Sequence, residues 1–153
     1  AEAGLDEQHP IRIRTAYVDA LLRDDAGDTG TARLLYQDVL DRYRETLPAN
    51  DPRLARVLMA YGDLLTFNGE AGAALPLLQE AVSIRETILP VGHWEIAVAQ
   101  SLLGSCQSAL GLAGAEATLL GARDTLRATR GSQNSHTRDA EARLVAHRSR
   151  DNT

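Results

Sequence analysis

Between residues 53 and 67 the apolar side chains Leu54, Val57, Leu58, Tyr61, Leu64 and Leu65 recur every three or four positions, which predicts a helix with one buried stripe. After a break at Gly69 a second stretch, from about 72 to 89, carries the same kind of pattern. The two read as a helix pair joined by a short turn.

The pair recurs along the chain. His9-Pro10, Asp51-Pro52, His93-Trp94 and Ser135-His136 stand 42 residues apart, and the same offset aligns small residues in columns. Ala20, Gly62, Gly104 and Ala146 form one column, suited to a close helix crossing. Gly27, Gly69 and Gly111 form a second, and Ala32 and Ala74 a third. The chain therefore divides into repeats at 9–50, 51–92 and 93–134, a capping helix at 135–149 and a tail at 150–153. Residues 1–8 read as the end of an upstream repeat or a linker.

Punctuation agrees with periodicity. Proline at the first helical position loses no intrahelical hydrogen bond, and Asp51 before it is a good N-cap, a place His9 and His93 take in their repeats. The glycines of the second column suit helix ends, and Leu47-Pro48 and Leu89-Pro90 stop the second helices. Pro76 is tolerable only if its helix starts near Gly72, with the ring inside the first turn. In the third repeat Ala117 falls one residue late, which reads as one inserted residue in the preceding turn. Residues 132–137 look turn-like, and 138–148 read as the last helix.

Composition narrows the chemistry. The chain is 153 residues long, with 44% hydrophobic and only 4% aromatic residues and abundant alanine and leucine, which favours an all-α fold. All 16 basic residues are arginine. Without lysine there is no phosphate-loop lysine, no kinase phosphate-pairing lysine and no Schiff base within this sequence. The net charge of −5 lacks the footprint of nucleic-acid binding, although residues 121–153 carry an arginine excess, 7 against 4 acids. One cysteine and four scattered histidines give no zinc spacing, and no metal or cofactor is expected. No apolar run approaches the ~20 residues that span a bilayer.

The series Leu58, Tyr61, Gly62, Leu65, Gly69, Ala74, Leu78 and Ala81 resembles the tetratricopeptide repeat, and the 42-residue spacing with His/Asp-Pro loops resembles its kinesin-light-chain subtype. The resemblance implies a right-handed superhelix of three helix-turn-helix pairs plus a C-terminal capping helix, with a concave face lined by the first helix of each pair. Residues 93–147, including Leu103-Gly104, Ala115-Glu116-Ala117, Gly131 and Arg143-Leu144-Val145, also resemble the repeat region attached to bacterial serine/threonine kinases.

By the family's helix positions the concave face presents Arg14, Tyr17, Leu21 and Asp24 from the first repeat. Arg56, Met59, Asp63, Thr66 and Phe67 come from the second, Val98, Ser101, Ser105 and Ser108 from the third, and Arg143 and His147 from the last helix. Planar guanidinium forks suit carboxylates and carbonyls, while Tyr17 and Met59 offer adaptable apolar contact. The family's clamp for C-terminal carboxylates is not expected, because its asparagine and lysine positions hold Leu21, Asp63 and Ser105. Cys106 aligns with Leu22 and Leu64 and reads as a small core residue, Trp94 as a wedge between repeats, and the glycines near 27–30 and 111–114 as turns.

These readings converge on a non-catalytic scaffold that binds a protein or peptide in its groove, the sensor or recruitment region of a larger bacterial signalling protein such as a serine/threonine kinase. The alternatives are self-association into a homo-oligomer and the ligand-sensing region of a transcription regulator. A cytoplasmic location is expected, or an extracytoplasmic one if the array is attached to a membrane-anchored kinase.

Overall fold

The residues that punctuate the sequence also start and stop the helices. The computed structural model describes residue 6 and residues 8–151, and the reading of residues 1–8 falls largely outside them. The described residues form seven helices and no strand: α1 Pro10–Asp25, α2 Thr29–Thr46, α3 Pro52–Phe67, α4 Ala71–Ile88, α5 Trp94–Ala109, α6 Ala115–Arg130 and α7 Ser135–Asp151. Asp51 caps α3 by accepting from the Arg53 amide at 2.9 Å. The imidazoles of His9 and His93 do the same for α1 and α5, each through Nδ1 to the amide two residues on, at 3.3 and 3.2 Å.

Helices adjacent in the chain pack in antiparallel pairs. The backbones of the first helices of successive pairs, α1, α3, α5 and α7, also approach one another in turn, whereas those of α2, α4 and α6 stand further apart, α2 and α4 being bridged by the Arg44–Glu80 ion pair at 2.6 Å. Crowding the first helices together on one side curves the stack into a superhelix, with those helices on its concave face. At the crossings there is no room for a side chain. A Cβ on Gly62 would lie 2.6 Å from Leu78 Cγ, and one on Gly104 would lie 2.7 Å from Leu119 Cγ and 3.2 Å from the Leu119 amide nitrogen.

The hydrophobic core divides in two. A large cluster runs through α1 to α4 and reaches Leu102 and Cys106 of α5, with Tyr36, Leu40, Leu58, Leu65 and Leu78 fully enclosed. Tyr36 stacks on Tyr61 at 6.0 Å and meets Tyr17 at 6.3 Å, binding the first two pairs together. A smaller cluster of Ala97, Ala122, Leu126 and Ala140 holds the C-terminal end. Trp94 completes it as a wedge, its ring between His93 and His136 at 5.8 and 5.3 Å, with the Arg130 guanidinium 4.6 Å above the ring. Cys106 is buried, and its Sγ donates to the Ala71 carbonyl at 3.2 Å.

Three local readings are corrected. The turn before α6 is longer than its counterpart before α4, but the register shift has the opposite sign to an insertion. Ala115, Leu119, Ala122 and Leu126 occupy the buried places of Ala74, Leu78, Ala81 and Arg85, an offset of 41, and Ala117 is exposed. The cause is a missing first helical turn: α4 has three residues ahead of Ala74, and α6 begins on Ala115 itself. Next, α4 starts at Ala71, beside the expected Gly72, but Pro76 is its sixth residue and lies beyond the first turn; the carbonyl it leaves without a partner belongs to Gly72, which is exposed to water. Last, α7 begins at Ser135, because the Asn134 side chain caps it by accepting from the His136 amide at 3.0 Å, and Thr137, read as turn, is buried. Ala146 is exposed, and among the described residues no later helix crosses α7 there.

Candidate functional site

The concave face divides into three zones, each set by what its neighbouring helices supply. At the N-terminal end α1 and α3 splay apart and leave a cavity of about 650 Å³, lined by Pro10, Ile11, Arg14, Tyr17 and Val18 of α1, Tyr43 of α2, and Arg53 and Arg56 of α3. Arg14 and Arg56 occupy the same position one period apart, so the repeat itself sets two guanidinium groups side by side. Arg53 is held by Asp51 through bonds of 2.9 and 2.8 Å, which pull the Asp51 carboxyl below the usual carboxylate range. Among the described residues Arg14 and Arg56 form no ion pair. Burial pushes the phenols of Tyr17 and Tyr43 up, against the opposing pull of nearby arginines, so both rings keep their hydroxyl proton near neutrality.

The middle zone is acidic. Asp63 lies recessed in the concave face but still half-exposed, with an Arg143 nitrogen at the edge of ion-pair range, 4.0 Å away. Burial raises its carboxyl; Arg143 opposes that, while Asp24 and Asp139 add to it. Asp24 also accepts from the buried Tyr36 hydroxyl at 3.2 Å.

At the C-terminal end Ser101, Ser108, Arg143, His147 and Arg150 bond one another, while the buried oxygens of Gln107 and Thr137 have no partner among the described residues. Arg143 donates to Ser101 at 3.3 Å and Arg150 donates to Ser108 at 3.1 Å, each bond linking the same position in α5 and α7 one period apart. His147, itself buried, lies 2.9 Å from Ser108 Oγ through Nδ1 and 3.3 Å from Asp151 through Nε2. Serine, imidazole and carboxylate thus stand in line, but Arg150 holds the same serine oxygen, and the set works as a clasp between α5 and α7. Among the described residues no three His, Cys, Asp or Glu side chains converge in a way that could hold a metal ion.

Of the residues placed in the groove by sequence, Arg14, Tyr17 and Arg56 meet in the cavity. Met59 packs partly into the main core, and Leu21 and Phe67 are exposed at 37% and 88%. Thr66 donates to the Gly62 carbonyl of its own helix at 2.8 Å, Val98 joins the small C-terminal core, and Ser105 is half-buried. Sequence reasoning missed Tyr43 and Arg53. Tyr43 lies on a second helix, which the family pattern leaves out of the groove.

A stack of helix pairs with its first helices on a concave face is the architecture of a helical-repeat protein. Residues 54–95 match the family model of the tetratricopeptide repeat. The kinesin light chain nearly identical TPR-like repeats of Podosopora anserina superpose with a TM-score of 0.77 at 20% identity, covering 97% of this chain and 71% of that one. A form of them carrying a single substitution superposes with a TM-score of 0.79 at the same identity and coverage. No curated protein matches the chain. Residues 54–95 thus match the tetratricopeptide repeat, and the chain has the fold of those kinesin-light-chain TPR-like repeats.

Proposed function

We propose that this array is a non-catalytic interaction module whose concave face receives a peptide or an extended segment of a partner protein. The observation that carries the reading is the open cavity between α1 and α3, where Arg14 and Arg56 face solvent without a carboxylate while every polar group of the C-terminal clasp is engaged. Unsatisfied donors in a cavity shared with tyrosine rings have binding capacity to offer; satisfied ones do not. Recruitment into a larger signalling chain, such as a serine/threonine kinase, rests on the resemblance of residues 93–147 alone.

Panning a displayed random-peptide library against the chain tests the reading. Enriched peptides should lose binding to a Tyr17→Ala, Met59→Ala double variant and keep it for a variant altered on the outer face of α4. Enrichment no better than on an unrelated helical protein, or peptides sensitive only to the outer face, would overturn it.

A second reading has its own observation. Leu22 is 62% exposed, whereas Leu64 and Cys106, at the same position in later repeats, are 3% and 0% exposed. Val18 and Ile11 are exposed beside it, so α1 presents an apolar face that a second copy can cover. Sedimentation equilibrium that stays monomeric at high concentration would sink this alternative.

A further inference from the structure

We propose that the cavity between α1 and α3 is a carboxylate site, and that the acidic recess beyond it sets the polarity of the bound segment: an acidic group of the ligand lies between Arg14 and Arg56, and a basic residue further along lies against Asp63. The proposal rests on the peptide-binding reading above and names the chemistry of the ligand.

The argument starts from charge. Three guanidinium groups border the cavity and only Arg53 has a carboxylate partner, so an entering anion meets two uncommitted forks rather than displacing an ion pair. An anion brought there is partly desolvated by Ile11, Val18 and the two tyrosine rings, which strengthens charge-assisted hydrogen bonds relative to open water. The two phenols, still protonated, add donors. No carboxylate among the described residues lines the cavity to attract a cation.

Spacing supplies the second half. Arg56 and Asp63 are seven residues apart on α3, about 10 Å along a helix at 1.5 Å per residue. An extended peptide covers that length in about three residues at 3.3 Å each. There Asp63 has one arginine, Arg143, at the edge of ion-pair range, while Asp24 and Asp139 add negative charge to its field. A segment running along α3 therefore meets a positive and then a negative field within one short stretch, and the reverse orientation is repelled at both points.

The test uses the whole chain and a designed probe, an acetylated and amidated ten-residue Gly/Ser peptide carrying two adjacent glutamates and, three positions on, two adjacent arginines. Its companions are a twin with glutamine for glutamate, that twin with a free C-terminal carboxylate, and inorganic phosphate. Titration is followed through the arginine Nε–H signals by nuclear magnetic resonance, which reads millimolar binding. Saturable shifts of Arg14 and Arg56, weakened about tenfold by glutamine in the peptide and by Arg14→Gln or Arg56→Gln in the protein, support the proposal. Both arginines are exposed, so these variants should keep the wild-type circular dichroism. Rescue of the twin by its terminal carboxylate identifies the chain end as an equal source of the anion; no rescue identifies the side chain. Equal response to the glutamate peptide and its amidated glutamine twin, or shifts with phosphate and none with the peptide, overturns the proposal. If library peptides bind the groove without any acidic residue, the carboxylate site fails while the peptide-binding reading stands.

Discussion

Two junctions on the concave face use the same five positions one period apart and differ in charge. Where α1 meets α3 the residues are Arg14, Tyr17, Tyr43, Arg53 and Arg56, and a cavity with cationic walls stays open. Where α3 meets α5 they are Arg56, Met59, Arg85, Glu95 and Val98. There Arg85, almost wholly buried, donates to Glu95 at 2.9 Å and neutralises the site from within. The fold is common to both, so the difference lies in the equivalent positions that change: Tyr17 against Met59, Tyr43 against Arg85, Arg53 against Glu95 and Arg56 against Val98. The repeat pattern builds the groove, and departures from it decide what the groove can bind.

The largest expected effect separates position in the stack from residue type. Leu64→Ala removes a side chain enclosed between repeats and should cost about 2–5 kcal/mol in urea denaturation. Leu22→Ala, the same change one period earlier on the open face, should stay within about 0.5 kcal/mol. Equal losses would mean that α1 is covered in solution.

Arg85→Ala breaks the closed junction. It removes a buried ion pair and leaves Glu95 partly buried without its partner, so a loss of about 1–3 kcal/mol is expected, again by denaturation. Arg53→Glu pushes the open junction toward its closed counterpart. Stability should change by less than about 1 kcal/mol, because position 53 is exposed, while affinity for the glutamate-arginine probe should fall about three- to tenfold by like-charge repulsion. An unchanged affinity would place the anion elsewhere.

The smallest effect concerns Asp63. Its carboxyl titrates higher in the folded chain than in the unfolded one because burial disfavours its charge. The folded state therefore holds that proton more tightly, and stability from this residue declines as pH rises from below the unfolded carboxylate value through the raised one. Asp63→Asn should flatten that decline in thermal melts across the acidic range. A wild-type slope in the variant would assign the decline to another carboxylate.

The repeat, the helix pairs and the histidine caps were legible in the sequence because they follow from local spacing and from single hydrogen bonds at helix starts. The register of α6 was not. Ala117 looks like the partner of Ala74, but burial belongs to Ala115, because the lost helical turn is decided by how α6 packs on Gly104. The candidate site was half legible. First-helix positions pointed to Arg14, Tyr17 and Arg56, whereas Tyr43 enters from α2 because α1 and α3 splay, a tertiary fact with no local signature. The mutual satisfaction of Ser101, Ser108, Arg143 and His147 was equally hidden, since a list of polar residues does not say which are already bonded to each other.

Mapping a bound peptide on the whole chain by backbone amide shifts tests the central claim most directly. With a peptide recovered from the library, the account predicts shifts concentrated on α1 and α3 around Arg14, Tyr17, Arg56 and Met59, with the α5–α7 clasp around Ser108 and His147 unmoved. Shifts centred on that clasp, or on the outer helices α2, α4 and α6, would contradict it.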